Sequence, residues 1–261
     1  VAGSTAVFGL SGALCANGET TILTIDGSSV TDAATNSGTG SAVATFTIDN
    51  AGPSPSSISP FAASFIIMPT SVSVMFDESV LASSVAATDL GISGTCATLP
   101  TASVTGVAGA VVTFVLSGAT CADGQTIIVT SLGSDVTDLL GNAGSNNQVV
   151  TYTKDTTGPS VASFLPATDL VISIPTSVNI TFDETLSAGS VTAADFAVSG
   201  TCNILPTHSV SAVAGQQVFI ALSGAVCANG QTATLTVNGS GINDTAGNAG
   251  SGSPVVTYTV D

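Results

Sequence analysis

Apolar and polar residues alternate at a period of two along most of the chain. Val178, Ile180 and Phe182 are separated by Asn179 and Thr181, and Val218, Ile220 and Leu222 by Phe219 and Ala221. Ala233, Leu235 and Val237 follow the same rule with Thr234 and Thr236 between them, and Val256, Tyr258 and Val260 close the pattern. A period of two puts one face of a strand on a core and the other toward water. Further strands near residues 161–165, 196–198 and 209–213 bring the count to about seven. Turn residues punctuate them at Pro166, Pro175, Pro206, Ala214-Gly215, Asn229-Gly230 and Ala246-Gly247.

Whole blocks of this pattern recur. Segments beginning at Val1, Val107 and Val213 align without gaps, an offset of 106 residues each time. The same offset carries Phe76, Asp77 and Glu78 onto Phe182, Asp183 and Glu184, and Gly52-Pro53 onto Gly158-Pro159. The expected organisation is the C-terminal half of a repeat over residues 1–49, then complete repeats over 50–155 and 156–261. Either a longer array has been truncated at its start, or a neighbouring segment supplies the missing half. Seven short strands per repeat predict an all-β fold of tandem immunoglobulin-like β-sandwiches. Propeller blades and β-helix coils, the competing repeat architectures, have shorter periods.

Charge narrows the partners. Among 261 residues there are 17 acidic side chains, one Lys (Lys154), no Arg and one His (His208), a net charge of −16. Such a surface repels phosphate backbones and anionic lipid, so nucleic acid is excluded as a partner and cations are favoured. The apolar run over residues 107–116 is broken by Gly109 and Thr113. A spanning helix needs roughly 20 predominantly apolar residues, so no membrane span is expected.

Particular motifs resemble the bacterial immunoglobulin-like domains found in tandem in surface-layer proteins and large adhesins. They are the linker Asp155-Thr156-Thr157-Gly158-Pro159, the stretch Ile180-Thr181-Phe182-Asp183-Glu184, the segment from Val191 to Phe196, and Asn243-Asp244-Thr245-Ala246-Gly247-Asn248. The chain departs from that family in its paired cysteines and its lack of Arg. In the first unit Thr35 stands where the later turns have glycine.

The cysteines follow the repeat: Cys96 with Cys121, Cys202 with Cys227, and Cys15 unpaired, its counterpart falling before residue 1. Strands running alternately up and down bring both members of a pair to one pole of the sandwich, where a disulfide is feasible. Reduced buried thiols are the alternative. Disulfides point to an oxidising, extracellular compartment.

The same alternation brings acids to the opposite pole. Asp155, Asp183, Glu184, Asp195 and Asp244 are expected near one inter-repeat joint, and Asp49, Asp77, Glu78, Asp89 and Asp138 near the other, with Asn142 and Asn248 beside them. Converging carboxylates would repel without a counter-ion, and calcium, a hard cation with six to eight oxygen ligands, suits such a set. The resemblance also implies calcium at such joints. Turn chemistry is the competing explanation, because Asp and Asn side chains bond nearby backbone N–H groups.

Little catalytic equipment is present: His208 has no counterpart in the preceding repeat, where Ala102 stands, and no nucleophile elbow or phosphate loop occurs. Asn179, Asn238 and Asn243 open glycosylation-type triplets. The expected function is structural and non-enzymatic: an extracellular, cell-surface fibre, stalk or surface-layer segment with cation-stiffened joints. Its partners would be neighbouring copies of the repeat, in a homopolymer or a longer tandem array. An adhesin module recognising a glycan or surface ligand, and a spacer in a large exoenzyme, are the alternatives.

Overall fold

The alternating segments form 18 strands in a computed structural model that describes residues 4–12 and 14–261. Residues 1–3 and 13, part of the first repeat segment, lie outside the described residues. A hairpin of β1 (Thr20–Asp26) and β2 (Ser41–Thr47) comes first. The next eight strands are β3 (Pro55–Ser59), β4 (Ala63–Phe65), β5 (Ser71–Phe76), β6 (Leu90–Gly94), β7 (Thr101–Ala108), β8 (Val111–Ser117), β9 (Thr126–Leu132) and β10 (Asn147–Lys154). Their counterparts are β11 (Val161–Leu165), β12 (Asp169–Val171), β13 (Ser177–Phe182), β14 (Phe196–Gly200), β15 (Thr207–Ala214), β16 (Gln217–Ser223), β17 (Thr232–Val237) and β18 (Val255–Val260).

Each set of eight makes two four-stranded sheets. The first set is ordered β3-β5-β8-β7 and β4-β10-β9-β6; the second is ordered β11-β13-β16-β15 and β12-β18-β17-β14. These are immunoglobulin-like sandwiches, and the fold is all-β. Pairing is antiparallel except where β4 meets β10 and β12 meets β18, which run parallel. About seven strands are expected from sequence and eight form. The additional one, β4 or β12, is three residues long, too short to show a period of its own. It arises because the first strand of each sandwich leaves one sheet near Pro60 or Pro166 and continues on the other.

Inward positions of both sheets interdigitate in one core per sandwich. Val178, Ile180, Val218, Ile220, Val237 and Ile242 are fully enclosed in the second, as are Val74, Val112, Ile127, Val129 and Tyr152 in the first. Burying each such aliphatic side chain contributes roughly 1.5–3 kcal/mol, which is why the alternation is so strict here.

Both expected disulfides are present. Cys96–Cys121 and Cys202–Cys227 join the β6–β7 connection to β8–β9, and β14–β15 to β16–β17, with Cα atoms 4.5 and 4.4 Å apart. Cys15 is free. Among the described residues no helix is long and apolar enough to cross a membrane. Of the glycosylation-type asparagines, Asn179 sits within β13 with its side-chain oxygen buried, whereas Asn238 is exposed.

Candidate inter-repeat joint and its carboxylate cluster

The last strand of one sandwich delivers the linker to the acidic pole of the next. Leaving β10, Asp155 donates its backbone N–H to Phe65 O at 3.0 Å. The Asp123 carboxylate then grips the linker, accepting from Thr156 N, from Thr156 Oγ1 at 2.9 Å and from Thr157 Oγ1 at 3.0 Å. These bonds, led by the Thr156 backbone, hold the Asp123 carboxyl below the usual carboxylate range. At the earlier joint Asn17, the equivalent residue, accepts from Asn50 N at 2.9 Å.

Gly158 follows, pressed on the backbone of Ala249. A Cβ added there would lie 1.9 Å from Ala249 O, so only glycine fits; a Cβ on Gly52 would meet Ala143 O at 2.0 Å. Beyond the proline the chain is fastened again: Ser160 donates to Asp183 through its N–H at 2.8 Å and its hydroxyl at 2.6 Å. Asp77 accepts from Ser54 N at 2.7 Å in the preceding sandwich.

The turn after β17 closes on the linker from the other side. Asp244 Oδ1 accepts from Gly247 N and Asn248 N at 2.6 and 2.8 Å, and its Oδ2 accepts from Asn248 Nδ2 at 2.8 Å. The same Asn248 amide points at the linker, 3.2 Å from Asp155 O and 3.3 Å from Asp155 Oδ1. Asn142 repeats this, donating to Asp49 O at 3.2 Å and to Asp138 Oδ2 at 2.7 Å. Asp32 and Asn36 build the same turn in the first unit. There Thr35 adopts the left-handed conformation (φ 67°) that Gly141 and Gly247 take elsewhere. The turn chemistry expected of Asp and Asn is therefore present in all three units.

Of the ten acids expected at the two poles, six come together. Asp155, Glu184 and Asp244 each place a carboxylate oxygen within 4.8 Å of the others, and Asp49, Glu78 and Asp138 do the same. The remaining four do other work. Asp77 and Asp183 bond Ser54 and Ser160, as above. Asp89 and Asp195 are buried and turn back on the backbone, each accepting at 2.7 Å from Ala86 N or Thr192 N.

Charge accumulates in these groups. Burial, then the neighbouring Asp244, Asp155 and Asp183, pushes the Glu184 carboxyl up to about 7. Glu78 is raised for the corresponding reasons, burial first and then Asp49, Asp138 and Asp77. Burial works against ionisation of Asp138 as well, but donors from Asn142, Leu140 and Gly141 hold its carboxyl below the usual range. Lys154, the chain's single Lys, is used elsewhere: its ammonium donates to Ile66 O. His208 lies on the edge strand β15 with Nε2 3.1 Å from Ala193 O.

Asp123 and Asn17 are the joint residues that sequence reasoning overlooks. Their signal is faint: one polar side chain per repeat, just before a turn glycine, at position 17, 123 and 229 (Asn229).

Residues 155–260 match the family model of the bacterial Ig-like domain. Among solved structures, the N-terminal part of the bacterial S-layer protein SbsC aligns at 19% identity with a TM-score of 0.31, over 79% of this chain and 44% of that one. A second SbsC structure, rSbsC(31-844), aligns at 18% identity with a TM-score of 0.30, over 79% of this chain and 25% of that one. The chain thus spans less than half the length of these S-layer structures. No curated protein matches.

Proposed function

We propose that this chain is a segment of an extracellular, structural repeat array whose joints are held straight by bound calcium. The family match supports a tandem sandwich role, and the bare surface chemistry supports architecture rather than catalysis. One observation carries the reading: both joints repeat the same construction, in which the linker carbonyl (Asp49 or Asp155) is gripped by an asparagine amide beside three clustered carboxylates.

The donor set suits a hard divalent cation. Three carboxylates can supply most of the six to eight oxygens calcium takes. In each group burial and then the neighbouring acids raise the Glu carboxyl, so a cation would relieve repulsion that hydrogen bonds have left in place. Asp155, Glu184 and Asp244 would hold it at one joint, and Asp49, Glu78 and Asp138 at the other. Because each triad combines a linker acid with acids from two loops of the next sandwich, the ion would restrict the bend between repeats.

Electron microscopy of native material, with and without a calcium chelator, tests this. Straight filaments that become flexible or fragment under chelator are expected. Filaments indifferent to chelator would leave the acids as turn-forming groups and overturn the calcium part; isolated short rods under both conditions would overturn the array itself.

A further inference from the structure

The side chain that grips the linker between the two complete sandwiches sits on a loop with few attachments of its own. Asp123 lies between β8 and β9, and residues 117–120 and 122–124 are all exposed. Downstream the loop is tied to β10: Gly124 N–H donates to Lys154 O, and Lys154 N–H to Gln125 O, each at 2.8 Å. Upstream it borders an open groove of about 520 Å³, lined by Pro69, Pro100, Leu116 and Lys154 among others. Packing therefore does not fix the loop on that side.

The disulfide does. Cys121 is the one half-buried residue between Ser117 and Gly124, and it is joined to Cys96, which is buried in the core of its sandwich. Beside the bridge, Thr98 and Thr120 add one isolated backbone pair, with bonds of 3.2 and 3.0 Å. Asp123 follows Cys121 by two residues. All three acceptor contacts to Thr156 and Thr157 come from that single carboxylate, so they depend on where the loop holds it. Cys202–Cys227 stands differently, at the pole of its own sandwich opposite the Asp244 turn that meets the linker.

We propose that Cys96–Cys121 is a thiol-sensitive lock on the linker. Closed, it holds Asp123 over Thr156 and Thr157; open, it lets the joint bend while both sandwiches stay folded. A dithiol reductant opens it by exchange. One thiolate attacks a bridge sulfur, and the second resolves the mixed disulfide that forms. The reductant gives up two electrons and two protons and becomes a disulfide, leaving Cys96 and Cys121 as thiols.

The test compares the full chain with its Cys96→Ser/Cys121→Ser variant, in chelator. Exchange of the Thr156 amide should speed up by about tenfold, since a linker amide exchanges through local opening rather than through unfolding of a sandwich. Small-angle scattering should show a wider range of bend angles. Adding a dithiol to the parent chain should reproduce both effects, and Cys202→Ser/Cys227→Ser should produce neither. In an Asp123→Ala background, loss of the bridge should add nothing, because the carboxylate it positions is gone. Unchanged exchange and bend range would overturn the proposal. So would additive effects in the Asp123→Ala background, or unfolding of residues 50–155 once the bridge is open. The assay excludes cations and reads a contact outside the carboxylate triads, so its failure is distinguishable from failure of the calcium-held joint.

Discussion

The hydroxyl of Tyr258 donates a 2.7 Å hydrogen bond to the carbonyl of Pro166, 92 residues earlier, and Tyr152 makes the identical bond to Pro60. Each bond ties the last strand of a sandwich to the place where its first strand changes sheets. Burial pushes both phenols up to about 12, so each stays a neutral donor at any ordinary pH.

Replacing Tyr258 by Phe keeps the ring in the core but leaves the Pro166 carbonyl without this donor. The expected loss is about 1–2 kcal/mol, read from the shift of a denaturant midpoint. Tyr152→Phe should cost the preceding sandwich a similar amount. An unchanged midpoint in both variants would mean that the crossover is held by packing alone.

At Gly158 the backbone has no room for a methyl group, since the nearest obstacle is a carbonyl rather than a pliable side chain. Gly158→Ala should therefore destabilise the last sandwich by about 2 kcal/mol or more. Gly189→Ala is the control, because nothing lies within 4 Å of its added Cβ. Thermal melts of the two variants should differ accordingly.

Opening the Cys202–Cys227 bridge frees a loop closed over 25 residues. On the chain-entropy view this loosens the unfolded state by about 3 kcal/mol. The Cys202→Ser/Cys227→Ser double variant should show that loss in equilibrium unfolding. Much smaller losses would indicate that the pole is already rigid through backbone pairing, as at the Ile204–Val226 bridge.

Protonation at the joint gives a pH signature whose sign is fixed. Glu184 keeps its proton to about pH 7 in the folded chain, against 4.5 when unperturbed. Its stabilising effect is complete below pH 4.5 and is lost as pH rises toward 7, because the unfolded chain releases the proton first. Without calcium, denaturant midpoints should fall across that window, with Glu78 adding in the same direction. Glu184→Gln should flatten the decline. Millimolar calcium should also reverse it in the parent chain, since a ligand bound only to the folded state stabilises it by mass action.

Asp123 governs the linker rather than either core. Asp123→Ala removes all three acceptor contacts to Thr156 and Thr157 while exposing little apolar surface. Unfolding midpoints should stay within about 0.5 kcal/mol, while small-angle scattering should show a wider range of bend angles between the two sandwiches. Asp123→Asn should restore much of the stiffness, as Asn17 accepts from the linker at the earlier joint.

Much of this was legible in the chain because the signals repeat. Val178, Ile180 and Phe182 announce a half-buried strand alone, and their echo 106 residues earlier makes the assignment secure. The repeat spacing pairs the cysteines, strand parity makes each pair feasible as a disulfide, and the structure contains both bridges. The acids are only half legible. Parity assigns ten of them to two poles, and six of the ten come together, but it cannot distinguish Glu184, which faces the linker acid, from Asp195, which turns back on Thr192 N. That choice is made by a three-residue turn, Ala193–Asp195, below the resolution of any periodicity. β12 escapes for a similar reason: it exists because β18 offers an edge, not because Asp169, Leu170 and Val171 favour extension.

That short strand changes how the molecule would bear load. β12 lies parallel to β18, with Asp169, Leu170 and Val171 opposite Tyr258, Thr259 and Val260, and the two sit near opposite ends of their repeat. Tension applied along the array pulls β12 toward the start of the chain and β18 toward its end. The bonds between them are strained together in shear, rather than being peeled one after another as in a hairpin pulled from its open end. A contact of three residue pairs, trivial as a source of equilibrium stability, would thus act as the mechanical latch of each complete sandwich.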